Sequence, residues 1–576
     1  MMILTLEVLP TWGVLLTVGL GVLACLAFRA IYNIYFHALS KIPGPYLWSA
    51  SRLPFIYSLL NGTIVHDIQG LHQIYGPILR IAPDEVTFAR ADAWTDIFPL
   101  RSDRFLKDPV WWKRQPGSPA SLISAINPET HTRMRKALAP GFTARALIAQ
   151  EPILQLYVNL LVERLVEQAT KKYDINGVGF DIAPWFNFVT FDIFGDLGFG
   201  ESFDCLQNSR YHPWIALLFN SVKAASFVAA ARFYPLIELL LMKCIPPSLK
   251  KMQRDHYLQI VNKIERRLNF ELERPDIMSH VIAGRDNEAF SREEINATFM
   301  VLTTAGSETT ATVLGGTLNY LVLNPDKMAT LVSEIRERFN SYETITLEAL
   351  RALPYLNAVI SEGLRLCPPI PWILPRRVPG TGDTVCGVWL PGGTPVSIQV
   401  HTMNRDPNCF HLAPSFVPER WLPSETDDPD SPFFHDQRNA FQPFSVGPRS
   451  CMGQNLALAE MRLVLAKLLW RFDFQAVPGR ELKWEQLRTF LLVEKKPIMF
   501  DYIQQQHPPG HVFAAQHRVS IRPTERSCYP PLRTGKWKWR DSVPAGPRER
   551  KGDIVNEQHN TALTFHGFVE ANSSEF

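Results

Sequence analysis

The stretch Phe444-Ser445-Val446-Gly447-Pro448-Arg449-Ser450-Cys451-Met452-Gly453, followed by an apolar helical run from 454 to about 472, decides the fold. It puts a cysteine at the start of a helix, where free backbone N–H groups and the positive end of the helix dipole favour a thiolate. Gly447 permits the left-handed turn that lifts the loop, and Gly453 leaves no side chain to block a flat ligand. Phe444 covers the sulfur side and excludes water, while Arg449 offers a guanidinium to a carboxylate. A lone cysteine at a helix start is ordinarily an inert buried residue. Five fixed residue types in ten positions, Phe-x-x-Gly-x-Arg-x-Cys-x-Gly, point instead to a thiolate that binds metal.

That spacing resembles the cytochrome P-450 family. The resemblance implies haem b with Cys451 as the sulfur ligand of its iron, an electron-rich ligand that favours O–O cleavage. It places Arg449 on a haem propionate, with Phe444 and Gly453 beside the ring. The implied fold is mainly α with a small β region, preceded here by one N-terminal transmembrane helix. Periodicity agrees: from about 55 to 375 the apolar residues recur at helical spacing, with Pro or Gly at the breaks. Strand-like runs are short, at 78–81, 86–88, 384–390, 395–399 and 491–493.

Upstream, Ala305-Gly306-Ser307-Glu308-Thr309-Thr310 lies in an apolar stretch that opens on a capping box at Ser291 and Glu294 and stops at Asn324-Pro325. One helix of roughly 50 Å is expected there. Ala305 and Thr309 share a face, and Gly306 thins the helix where a bound diatomic needs space. Glu308 and Thr309 offer an acid and an alcohol for proton delivery. The plain alternative is a helix whose threonines bond back to the preceding turn.

Glu362 and Arg365 stand three apart on a helix expected from about 355 to 366. In isolation such a pair is a surface ion pair. The family carries Glu-x-x-Arg here, followed by a Pro-Glu-Arg segment, in this chain Pro418-Glu419-Arg420-Trp421. The resemblance implies a buried structural cluster of Glu362, Arg365 and Arg420, with Trp421 in place of the more usual Phe. His131-Thr132-Arg133-Met134-Arg135 is a further match, in which His131 and Arg135 are expected to meet propionates. His131 replaces a frequent Trp, and a solvated basic face is the alternative. Arg376 stands where the family often has another propionate-binding arginine.

At the N-terminus no charge falls between Glu7 and Arg29, and as a helix of roughly 32 Å this run, 8–28, is long enough to cross a bilayer. A signal peptide would want basic residues before the run; here Arg29, Lys41 and Arg52 follow it, which puts the body on the cytosolic side. Lys41-Ile42-Pro43-Gly44-Pro45 makes a stiff connection. The expected organisation is an anchor and linker at 1–40, a haem-thiolate monooxygenase domain at 41–503 and a disordered tail at 504–576, with 423–436 also outside the core. Eight scattered cysteines without a C-x-x-C pair give neither a disulfide scaffold nor a zinc site. A net charge of +3 is too small for a nucleic-acid binder.

The resemblance covers roughly 40 to 503 and implies a monooxygenase of the endoplasmic reticulum membrane that inserts one atom of O2 into a lipophilic small molecule. With no G-x-G-x-x-G between a strand and a helix, electrons must come from another protein. The implied donor is an NADPH-dependent flavoprotein reductase, docking near Arg133, Lys136 and Arg462. Similarity to the trichothecene hydroxylase-like group of fungal oxygenases implies a terpenoid or polyketide substrate. Its pocket is expected at 110–126, Phe299, Leu302 and 370–374. Two other readings keep the scaffold: an O2-independent rearrangement or dehydration, and a haem-binding protein without turnover. The acid and alcohol at Glu308 and Thr309 weigh against both.

Overall fold

In a computed structural model of the chain, residues 11–114, 117–172, 179–270, 274–283 and 290–504 are described. Helix α1 (Thr11–Ile31) runs into a π-helical turn at Tyr32–Phe36. The apolar span Leu15–Phe36 is long enough to cross a membrane and is mostly exposed, with Asn33 near its end buried. It lies further along the chain than the expected 8–28, of which 8–10 fall outside the described residues. The connection that follows is anchored to the body: Arg80 donates to the Asn33 carbonyl (2.8 Å) and Asn33 to that of Ala50 (2.9 Å).

Amphipathic and apolar runs then build the bundle that positions the site. Helix α2 (Leu53–Asn61) is followed by α3 (Pro128–Leu138), opened by the Asn127 side chain accepting from the Thr130 N–H. Next come α4 (Ala144–Lys172) and the nearly all-buried α5 (Ala183–Phe199). Helix α6 (Pro213–Arg232) leads into α7 (Pro235–Cys244). The expected long helix is α8 (Arg292–Leu323), with its capping box formed: Ser291 Oγ accepts from the Glu294 N–H, and Glu294 accepts from the Ser291 N–H at 2.9 Å. It packs against α5, α9 (Pro354–Leu366) and α10 (Gln454–Arg471) at the centre of the largest core cluster.

A five-stranded sheet lies beside the bundle, made of β1 (Ile78–Ala82), β2 (Glu85–Phe88), β3 (Leu106–Lys107), β4 (Ile373–Arg377) and β5 (Pro395–Ile398) in the order β1-β2-β5-β4-β3. The β2–β5 pair is parallel and the others antiparallel; in the β3–β4 pair Lys107 stands opposite Arg376. Hairpins occupy Asp383–Val385 with Val388–Leu390 and Thr489–Phe490 with Leu492–Val493. Phe180–Asp181, Met499–Gln504 and Phe472–Ala476 form a further small sheet.

One expectation is corrected. The acidic segment 423–436 does not lie wholly outside the core. Phe433 and Asp436 are buried, because Asp436 Oδ2 accepts from Arg420 at 2.6 Å and Oδ1 from the His411 N–H at 2.6 Å. Of the expected tail 504–576, all but Gln504 lies outside the described residues.

Helix α7 buries none of its residues; Leu236, Ile237, Leu239 and Leu240 are each more than half exposed. Phe233, just ahead of it, packs edge-on against Phe55 of α2 (5.9 Å) with the Arg52 guanidinium over its ring (4.2 Å). This apolar surface therefore lies beside the elements that follow the membrane-length helix.

Candidate active site

The cysteine loop closes on itself before α10 begins. The Cys451 N–H donates to the Phe444 carbonyl (2.8 Å) and the Ser450 N–H to that of Gly447 (3.1 Å). Gly447 adopts φ +76, and a Cβ there would lie 3.0 Å from the Phe98 carbonyl oxygen, so both its conformation and its surroundings require glycine. A Cβ on Gly453 would meet nothing nearer than the Cys451 sulfur at 4.0 Å, which leaves that side of the thiol bare. Cys451 is accessible although protein surrounds it. Burial pushes its thiol pKa up, while the Gly453 backbone N–H and the Arg135 charge pull it down.

Cations from four parts of the chain converge near the loop. Arg135 of α3 donates to the Ser450 carbonyl (2.7 Å) and, more weakly, to its hydroxyl (3.3 Å). Arg449 donates to Asp103 (2.5 Å) and to the Ile126 carbonyl (2.9 Å). Arg376 of β4 donates to the other Asp103 oxygen (3.3 Å) and to the Phe105 carbonyl (3.2 Å). Lys107, facing Arg376 across the sheet, bonds to the Ile123 carbonyl and lies 4.1 Å above the Trp112 ring. Burial, then Arg376 and Arg449, push the Lys107 pKa well below the usual lysine range. His131 is buried, and burial followed by Arg449, Lys107 and Arg135 lowers its pKa to about 4, so at neutral pH it is an uncharged imidazole. Asp103 is the carboxylate set among these cations, which leaves a positive surplus suited to an anion with more than one carboxylate. Lys107 and Asp103 escape a sequence reading because neither belongs to a motif.

In the middle of α8, Val301, Leu302, Thr304, Ala305, Gly306 and Thr309 remain partly exposed, while Thr303, Ser307, Glu308 and Thr310 are buried. The Thr309 hydroxyl donates to the Ala305 carbonyl (2.7 Å), the back-bond that was the plain alternative. At Gly306 a Cβ would come 2.8 Å from the Phe194 ring, so the missing side chain also lets α5 pack close. Glu308 points into the protein, where it is buried, and pairs with the partly buried Lys495 (2.8 Å). Lys495 also donates to Asn187 (2.6 Å), whose amide donates to the Tyr211 hydroxyl (2.8 Å).

The family model for Cytochrome P450 matches residues 43–501. The chain is a cytochrome P450. Its relatives include Cytochrome P450 monooxygenase lcsI of Purpureocillium lilacinum, 41% identical over 82% of this chain and 90% of the relative. Averantin hydroxylase of Dothistroma septosporum is 39% identical over 79% and 85%. Trichothecene C-15 hydroxylase of Fusarium sporotrichioides is 37% identical over 84% and 97%. This P450 is accordingly an oxidoreductase of the monooxygenase class, and the family implies a haem-thiolate iron cofactor. The residues present fit that group: an accessible thiol in a bare-sided loop stands beside a surplus of cations for two propionates.

The remaining P450 motif residues meet as expected in a buried cluster. Glu362 accepts from Arg365 at 2.8 and 2.7 Å and from Arg420 at 3.2 Å. Its two oxygens also take the Val417 N–H (2.8 Å) and the Trp421 indole N–H (2.9 Å). The Trp in place of Phe thus adds a donor, and Asp436, absent from the expected set, neutralises Arg420 (2.6 Å). Of the expected pocket residues, Leu302 is partly exposed, whereas Phe299 is core, packed on Phe199 at 6.0 Å. Of the expected docking residues Lys136 is exposed, but Arg133 forks onto Glu294 (3.0 and 2.7 Å) and the half-buried Arg462 bonds to Asn357 (2.7 Å).

Proposed function

We propose that this P450 is a membrane-anchored monooxygenase in which Cys451 ligates the iron of haem b. The observation that carries this reading is the accessible Cys451 thiol beside the cation cluster of Lys107, Arg135, Arg376 and Arg449. When bound, a haem-thiolate supplies activation of O2 with two electrons. Arg135, Arg376, Arg449 and Lys107 hold the propionates, and the neutral His131 offers them an N–H. Phe444 shields the sulfur from water. Ala305 would line the haem site, and Glu308 and Thr309 would relay protons there.

The substrate is a lipophilic small molecule, a terpenoid or polyketide intermediate of fungal secondary metabolism. Support comes from the relatives named for trichothecene and averantin hydroxylation and from the apolar make-up of the accessible α8 face. The domain spans 41–503, with 1–40 as anchor and linker, in the endoplasmic reticulum membrane and facing the cytosol. The positive residues after the apolar span and the exposed apolar surface of α7 support that placement. An NADPH-dependent flavoprotein reductase supplies the electrons.

The test is the reduced carbonyl spectrum of the purified full chain. Wild type is expected to give the red-shifted Soret band of sulfur coordination, and Cys451→His to lose it. A carbonyl band of nitrogen-ligated type in the wild type would overturn the assignment. Comparing metabolites of a deletion strain with its parent then identifies the compound that accumulates.

A further inference from the structure

Two adjacent residues of the last part of the chain are tied to different helices. Glu494 meets Lys223 of α6 at 2.6 Å, and Lys495 meets Glu308 of α8 at 2.8 Å. The hairpin just before them is itself fastened to α6: the Phe490 ring stacks on Phe227 (6.4 Å, 13° between planes), and Lys223 lies 4.4 Å above the Phe490 ring. The hairpin is also held just past α2, where the Thr489 N–H donates to the Gly62 carbonyl (2.8 Å), so α2 and α6 together set where residue 495 lies. Helix α6 also leads directly into the exposed apolar α7, and Arg232 at its end bonds to the Val110 carbonyl (3.0 Å).

At the other end of this connection, Glu308 Oε1 has Lys495, while Oε2 is buried with no partner among the described residues. A carboxylate so placed stays ionised only while its counter-charge is in reach; without the lysine it takes up a proton. Burial raises the Glu308 pKa and the Lys495 charge opposes that rise. The unpartnered oxygen is free to receive or pass on a proton when the pair loosens.

We propose that Lys495 is the positioning residue for Glu308, and that the Glu494–Lys223 link makes its grip on the acid depend on where α6 lies. This rests on Glu308 serving as the proton-supplying acid. A lipophilic molecule that displaces α6 on its way in would draw the hairpin and Lys495 with it. Proton supply would then follow occupancy of the site.

The experiment uses the haem-loaded full chain with a flavoprotein reductase in phosphatidylcholine vesicles, without added substrate. Each variant is first matched for its reduced carbonyl band. Lys495→Met, which leaves the acid in its released state, is expected to speed substrate-free NADPH oxidation about tenfold and to lower its solvent isotope effect, with Lys495→Arg returning it most of the way to the wild-type rate. Glu494→Gln, at a more exposed position, is expected to shift both quantities the same way by a smaller factor, and it carries the test if Lys495→Met fails to take up haem. An infrared band of a protonated carboxyl additional to those of wild type is expected at neutral pH in Lys495→Met and not in Lys495→Met/Glu308→Gln. If Glu308→Gln slows oxidation while the Lys495 and Glu494 variants keep wild-type rates and show no such band, the inference is overturned and the role of Glu308 stands. If Glu308→Gln changes neither rate nor isotope effect, the acid role itself fails and the inference falls with it.

Discussion

Arg135, on α3, donates at 2.7 Å to the backbone carbonyl of Ser450, the residue directly before Cys451. The bond ties the cysteine loop to a helix more than three hundred residues earlier in the chain, and the Arg135 charge lowers the thiol's pKa. Arg135→Ala is therefore expected to lower haem retention about tenfold, since a hydrogen bond to a charged donor is worth roughly 1.5–3 kcal/mol. Arg135→Lys, which keeps the charge but not the planar fork, is expected to lose less. The ratio of Soret to protein absorbance after gel filtration measures both, and equal ratios in all three proteins would refute the tie.

Asp103 accepts from Arg449 and Arg376 together, at 2.5 and 3.3 Å. It is the counter-charge for a cluster whose other members repel one another. Asp103→Asn is expected to destabilise the haem-free chain more than the haem-loaded one, because the propionates replace the lost charge only in the latter. Thermal midpoints of the two forms should move further apart than in wild type. A uniform drop would show that Asp103 acts only in folding.

Trp421 donates one of the five hydrogen bonds received by the buried Glu362 carboxylate. Burial would push the Glu362 pKa up, but Arg365 and Arg420 outweigh it and hold it low, so the group is charged at neutral pH. Trp421→Phe is expected to cost roughly 1–3 kcal/mol, and Glu362→Ala roughly 3–5 kcal/mol because it strands two arginines. Urea unfolding of the haem-loaded protein measures both.

The parts of this site that could be read in advance are local ones. The cysteine loop, the Ser291 capping box and the Glu362–Arg365 pair each depend on residues within ten positions, where spacing determines geometry. Lys495, Asp103, Lys107 and Asp436 matter through partners brought together only by folding, and no short pattern marks them. The strand Phe472–Ala476 was hidden for another reason: it continues directly from α10, whose apolar run extends into it without a break. Ile373–Arg377 was hidden by Pro375 and two arginines, which give no alternation, yet it pairs with both β5 and β3. At Gly306 the close approach of Phe194 is a tertiary fact that no local spacing marks.

Glu460 joins the two helices that frame the site, standing on α10 against Thr310 of α8. It is almost fully buried, and its Oε2 has no partner among the described residues. Burial raises its pKa to about 8, only partly offset by the Thr310 hydroxyl, so the folded protein keeps it protonated at neutral pH. In the unfolded chain an ordinary glutamate releases its proton near pH 4.3. Between those values the native state binds more protons than the unfolded state, so this group's contribution is fully present in acid and is lost as pH rises toward 8. Wild-type stability should therefore fall by a few kcal/mol from this source across that window. Glu460→Gln, which keeps the shape without the titration, should flatten the profile and be relatively stabilising at its alkaline end. Thermal midpoints of the haem-loaded proteins across the window measure this, and parallel profiles for variant and wild type would mean that Glu460 is ionised in the native state.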